Sequence, residues 1–145
     1  DKFTSTFVNP RRGDVCVCRT YNISMIAPAP ATGATFYIKR LVGLPGDELR
    51  VAPPHLFVNG VVPTRTGFSR VMSAKDGYRG YAAAGNNLAD PEMKFRVPER
   101  HYFAMGDNSY NSFDSRYWGP VTDENLVGRG LVVYWPFSHH WGLIR

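Results

Sequence analysis

A lysine at position 39 stands inside the run TFYIKRLVGLPGD, residues 35–47, whose other members are those of a buried strand. In an extended chain, side chains two apart share a face, so Lys39 lies with Tyr37 and Leu41 while Phe36, Ile38, Arg40 and Val42 point the other way. Both faces are mostly apolar, which leaves an ammonium little route to water. Two outcomes are open. The lysine can snorkel at a barrel rim, its stem covering apolar surface. Alternatively, burial disfavours its charged form, and fully buried lysines fall several units below the usual value of roughly 10.4. A neutral amine of that kind can take the proton of a serine hydroxyl as a general base.

Other chemistries find less support. Cys16 and Cys18 share a strand face, too near in sequence for an easy disulfide, and read as small core residues. No second cysteine pair exists and the closest histidines are His139 and His140, so no zinc pattern is complete and no metal or cofactor is expected. The formal charge is +5, but no run of basic residues exceeds two and no nucleic-acid stripe emerges. Nothing approaches 18 consecutive apolar residues, and the first residues lack the charged and apolar regions of a signal peptide.

The elements that must hold Lys39 are strands. At 145 residues, 43% of them apolar, the chain suffices for one domain with a real core. Helix-period runs are scarce, whereas short apolar runs bounded by Gly, Pro and Asn recur throughout, as in an all-β barrel or sandwich. One strand follows the turn at Arg12-Gly13-Asp14, and a second runs from Phe36 to Leu44. Pro45-Gly46 then suits a type II turn. Asn59-Gly60, between Leu56-Phe57-Val58 and Val61-Val62, predicts a type I′ hairpin. Residues 63–100 read as loops with one short strand or helix, and 20–35 as a long surface loop. Tyr102–Met105 is a strand entering the polar loop Gly106–Arg116, and Leu131–Trp135 is the last core strand.

Three segments in order, RGDVCVC (12–18), YIKRLVGLPGD (37–47) and GDNSYNSFDSR (106–116), resemble signature segments of bacterial type I signal peptidases, the Ser-Lys proteases that cut signal peptides from exported proteins. The resemblance covers nearly the whole chain. It implies a mainly β, signal-peptidase-like (LexA-like) fold of coiled antiparallel sheets or a barrel with long loops. It makes Lys39 the general base and Ser112 the hydroxyl that orients the lysine amine. A hydroxyl suits that task because it accepts from an ammonium or donates to an amine, whereas a carboxylate would keep the lysine charged. Arg40, Asp107, Asp114 and Arg116 match positions that form supporting ion pairs. Substrate would bind in extended form along strand edges, with Val17, Tyr37 and Ile38 at the groove and small pockets selecting alanine-like residues.

By the same resemblance the nucleophile belongs to a Ser-Met-x-Pro segment before the RGD turn, following a membrane anchor. Ser24-Met25-Ile26-Ala27-Pro28 follows that turn instead and has Ala27 where the motif has proline. Residues 1–145 are therefore expected to be one N-terminally truncated extracytoplasmic domain, inactive alone, with 63–100 a loop-rich insertion. The implied partners are signal peptides of preproteins and, through the anchor, the membrane surface, on the periplasmic side of the bacterial inner membrane, with no nucleic acid. Ser109-Tyr110 departs from the family's usual Arg-Asp and removes one ion pair from the loop. A self-cleaving repressor of the LexA type and a non-catalytic peptide-binding relative are the rival readings.

Overall fold

Two antiparallel strands organise the computed structural model, which describes residues 9–20, 22–23, 36–129, 132–133 and 142–143. β1 (Val15–Arg19) pairs with β2 (Phe36–Gly43), Cys16 opposite Lys39 and Val17 opposite Ile38. The turn feeding β1 is closed by Asp14 N–H to Arg11 O at 3.0 Å, with Gly13 at φ +92° where only glycine sits without strain. After β2, Asp47 N–H donates to Leu44 O at 3.0 Å and Gly46 has φ +83°, the type II turn that Pro45-Gly46 predicts.

β3 (Glu48–Ala52) and β4 (His55–Val58) form the next antiparallel pair, followed by α1 (Thr66–Met72), β5 (Lys94–Arg96) and β6 (His101–Met105). A 3₁₀ turn at Ser109–Asn111, α2 (Ser115–Trp118), β7 (Val121–Thr122), a second 3₁₀ turn at Asp123–Asn125 and β8 (Leu126–Arg129) come next. β9 (Val132–Val133) and β10 (Gly142–Leu143) complete the described elements. The strands assemble as a five-stranded sheet of order β7-β6-β2-β1-β8, a three-stranded sheet β4-β3-β5 and the pair β10-β9. The fold is thus mainly β, with antiparallel sheets and few helices.

Strand alternation divides the apolar residues into two cores. Val42, Phe103 and Met105 join Leu49, Val51, Leu56, Phe68, Val71, Tyr81 and Leu88 on one side of the five-stranded sheet. Leu41 and Ala104 join Cys16, Cys18, Trp118, Val121 and Leu126 on the other. Residues 63–100 contribute α1, β5 and several members of the first core, among them Phe68, Val71, Tyr81 and Leu88.

Two local expectations are corrected. Asn59 (φ 53°) and Gly60 (φ 79°) do adopt the type I′ signs, and Val61 N–H meets Val58 O at 3.1 Å. Beyond a single bridge between Val58 and Val61, however, no second arm forms. Pro63 has no N–H to extend a ladder, and β4 takes β3 as its partner instead. The apolar surroundings expected on both faces of β2 also end early, since Ile38 is 68% and Phe36 54% exposed. Of the expected strand Leu131–Trp135 only Val132–Val133 is described, paired with β10; Ser24–Pro28 and most of 20–35 lie outside the described residues.

Candidate active site

Lys39 is half-buried on β2, and its Nζ donates to Ser112 Oγ at 2.8 Å. Tyr37, two residues earlier on the same face, presents its ring 5.3 Å from Nζ. Burial pushes the amine below the usual lysine value, against the pull of the Asp114 carboxylate and of Cys18, with Arg116 adding to the lowering. The residue pair separated by 73 positions is therefore a lysine held by a hydroxyl in a partly dehydrated place, which eases loss of its proton.

The loop that brings Ser112 there is fastened at both ends. At its start, Arg40 Nε and Nη2 grip Asp107 Oδ1 and Oδ2, each at 2.8 Å, while Nη1 donates to Gly13 O at 2.8 Å. At its end, Arg116 Nε and Nη2 meet Asp114 Oδ1 and Oδ2 at 2.8 and 2.7 Å, with both side chains fully buried. Such bidentate forks fix direction as well as distance. Asp114 also accepts from Gly106 N–H at 3.0 Å and from Arg116 N–H at 3.2 Å, which caps α2 and closes the loop on itself. Ser115 Oγ accepts from Ala104 N–H at 3.0 Å, continuing the pairing of β6 into α2.

The four charged residues singled out from the sequence thus form two ion pairs, Arg40 with Asp107 and Arg116 with Asp114, flanking Ser112. Val17 and Ile38 face one another across the β1–β2 pair, on the side of the sheet opposite Lys39, while Tyr37 shares the lysine's side.

Three contributors were not singled out from sequence. Gly106 leaves room for the pair, since a Cβ there would overlap Ser112 Oγ and stand 3.5 Å from Lys39 Nζ. Its signal was a small residue where a strand ends beside a polar loop. Gly67 makes the same allowance for the Arg40 guanidinium. Ser109 is the third: its Oγ accepts from Ala82 N–H and from Arg116 Nη1, each at 2.9 Å, and its carbonyl accepts from Arg116 Nη2 at 2.7 Å. Ala82 O also takes Arg116 Nη1, at 2.8 Å, so that Ser109 and Ala82 together receive the buried arginine. Tyr110 lies under Arg79, whose guanidinium is 4.3 Å from the ring centroid.

Comparisons with known proteins give the family. A family model described as signal peptidase, peptidase S26, matches residues 1–135. The chain is 35% identical to signal peptidase I of Pseudomonas fluorescens over 94% of its own length and 54% of that protein's. It is 33% identical to signal peptidase I P of Bacillus subtilis subsp. natto, covering 95% of this chain and 64% of the other. A crystal structure of a signal peptidase I from Enterococcus faecalis V583 superposes with a TM-score of 0.58 at 26% identity, over 86% of this chain and 98% of that one. The chain spans about half the length of the Pseudomonas relative.

Proposed function

The chain belongs to the signal peptidase family, peptidase S26, and from that membership we propose that it carries the base half of a Ser-Lys endopeptidase that removes signal peptides from exported preproteins. The observation that carries the proposal is the Lys39 Nζ to Ser112 Oγ bond at 2.8 Å on a lysine whose burial favours the neutral amine. The nucleophilic serine is proposed to come from a Ser-Met-x-Pro segment of a longer protein, because no such run occurs within residues 1–145.

In this mechanism the neutral Lys39 amine takes the proton of that hydroxyl as its oxygen attacks the scissile carbonyl. The resulting ammonium then gives the proton to the departing amine, leaving an acyl-enzyme that water hydrolyses by the same base. Ser112 accepts a hydrogen bond from the amine and so keeps its lone pair aimed, while Arg40, Asp107, Asp114 and Arg116 hold the two in register. Pairing of β6 with β2 begins at Arg40, so among the described residues 36–39 of β2 have β1 alone as a strand partner. An extended peptide laid on that edge would reach Tyr37 and Lys39 on one face and Ile38, beside Val17, on the other. The resident location proposed for the whole protein is the bacterial inner membrane, with this domain outside the cytoplasm; among the described residues no helix is long and apolar enough to cross a membrane.

The test is steady-state kinetics of the full-length protein on a peptide with alanine at the first and third positions before the cut. Lys39→Arg should be inactive although the charge is kept, because a guanidinium cannot be deprotonated in this range. Ser112→Ala should lose mainly kcat, since the amine remains but is no longer aimed. Near-normal turnover by Lys39→Arg would refute the mechanism. A chain that binds the peptide without cutting it would favour the non-catalytic relative.

A further inference from the structure

A peptide lying on residues 36–39 of β2 has to leave the sheet where β6 begins. Met105 occupies the place opposite Arg40, and Gly106, the next residue, comes alongside Lys39. Among the described residues the edge is thus open in one direction, from Lys39 back to Phe36. With the residues before the cut laid along it, those after the cut must turn out of the sheet at Lys39.

Two sides are available for that turn, and one is closed. On the Arg40 side the guanidinium holds both oxygens of Asp107 at 2.8 Å and donates to Gly13 O at 2.8 Å, so the loop start and the RGD turn fill the space. On the Lys39 side Ser112 Oγ stands 2.8 Å from Nζ. A chain leaving there crosses Ser112 and its neighbour Phe113, whose Cα is about 3.8 Å from that of Ser112.

Phe113 is presented to that path. It is 40% exposed, although the backbone on both sides of it is fixed. Ser112 is extended, with φ −112° and ψ 127°, and its carbonyl receives Arg116 Nη2 at 3.4 Å, while Asp114 is fully buried in its ion pair. The Phe113 ring leans on Tyr117, with centroids 5.6 Å apart and planes at 42°. Tyr117 packs in turn on the core of Cys16, Cys18, Leu41, Ala104 and Trp118, and Leu41 shares its face of β2 with Lys39. The ring pair therefore belongs to the same side of the sheet as the amine. The other large apolar side chains that are exposed have another place: Phe36 and Ile38 lie along the edge itself, Val61 follows a tight turn, and Tyr110 stacks under Arg79. A lone exposed phenylalanine needs no explanation, whereas one fixed beside the way out of the site meets whatever leaves by it.

We propose that Phe113, seated on Tyr117, contacts the substrate just after the cut and favours an apolar side chain at one of the first two positions of the released chain. The inference rests on the peptidase reading and deepens it: Val17 and Ile38 meet residues before the cut, and the ring meets those after. Two residues of extended peptide cover about 6.6 Å, enough to pass from a bond beside Ser112 to the side chain of the next residue in the loop. An open ring offers area without enclosure, so it discriminates by partial burial and tolerates most sequences.

The test uses the full-length protein and peptides that share alanine at the first and third positions before the cut and carry leucine or serine at the two positions after it. Half-burying a leucine against the ring should give the parent a preference of about three- to tenfold in kcat/KM, chiefly through KM, because the contact is made before and during the chemical step alike. Phe113→Ala should bring the two peptides close to level, and Phe113→Tyr should keep the preference. Discrimination between alanine and leucine immediately before the cut should stay as in the parent for both variants. Equal handling of the two peptides by the parent overturns the proposal, as does an undiminished preference in Phe113→Ala. Loss of discrimination on both sides of the cut in Phe113→Ala overturns it too, since that is a disturbed loop and not a lost contact. Kd for the same peptides on Lys39→Arg reads the preference without turnover, so a protein that binds and does not cut still tests the contact. An active Lys39→Arg would sink the base and leave the preference of the ring to be read in kcat/KM, whereas a parent that neither binds nor cuts the peptides overturns both readings.

Discussion

Replacing Arg116 by methionine tests whether the ion cluster holds the Ser112 loop. The guanidinium is fully buried and donates to both oxygens of Asp114, to Ser109 Oγ and O and to Ala82 O. Methionine fills similar space and supplies no donor. The Asp114 carboxylate would keep only its two backbone N–H partners, and the carbonyls of Ser109 and Ala82 would lose this donor. Removing one partner of a buried ion pair costs about 3–5 kcal/mol, a large share of the roughly 5–15 kcal/mol that holds a domain folded. At about 2–4 °C per kcal/mol for a chain near this length, the melting temperature should fall by about 6–20 °C. Urea unfolding followed by tryptophan fluorescence, with the slope checked against the parent, gives the free energy directly. The double variant Arg116→Met, Asp114→Leu should lose less than the sum of the two single changes, because it leaves no unpaired buried charge. A loss below about 1 kcal/mol for Arg116→Met, which is what an exposed ion pair would give, would refute the reasoning.

Two further predictions follow from neighbouring geometry. Gly106→Ala forces a methyl group into Ser112, whose Cβ would be 2.6 Å away, and should cost about 1–3 kcal/mol in urea unfolding, as overpacking does. An unchanged stability with the Lys39–Ser112 contact intact in a crystal structure would contradict it. The Asp47 carboxyl is pushed up by burial, but the Leu44 N–H, Arg12 and Asn59 together outweigh that and hold it below the usual value. Its contribution is therefore present above the unfolded carboxylate value of about 3.9 and is lost as pH falls through the folded value. Asp47→Asn should lower stability at neutral pH and flatten its decline below that point; an acid-unfolding curve parallel to the parent's would count against this.

Local signals read well from sequence wherever one residue's backbone preference decides the structure. Pro45-Gly46, Asn59-Gly60 and the RGD turn each adopt the conformation that their glycine or proline dictates. The strands around Lys39 follow from alternation in the same way. What failed was pairing. Whether Val58 extends a hairpin into Val61-Val62 or pairs with Leu49 depends on Pro63 and on a partner strand nine residues upstream, and no window of sequence weighs the two. Within the site, motif order brought Lys39, Ser112 and the four charged residues to attention, but it could not say that Ser109 would accept the buried arginine. That contact joins the loop to Ala82, 27 residues away, and depends on the first core folding Tyr81 inward. Exposure was equally hidden: Ile38 and Leu41 are both apolar, yet one is 68% exposed and the other fully buried.

The register of β6 on β2 explains how one short loop serves both faces of a strand. Arg40 lies opposite Met105, so the chain leaves β6 alongside Lys39, at the point where β2 has no further partner on that side among the described residues. Lys39 and Arg40 point to opposite faces. A loop emerging at that edge can drop Asp107 toward Arg40 on one side and carry Ser112 over to Lys39 on the other. The Arg40–Asp107 fork then fixes where the loop begins, and the Arg116–Asp114 fork fixes where it returns. Slipping β6 by one residue would exchange its faces, sending Ala104 into the core that Phe103 and Met105 fill and moving Asp107 out of reach of Arg40. The packing of two cores thereby sets the lysine-to-serine distance, and the chemistry inherits its precision from side chains that never touch it.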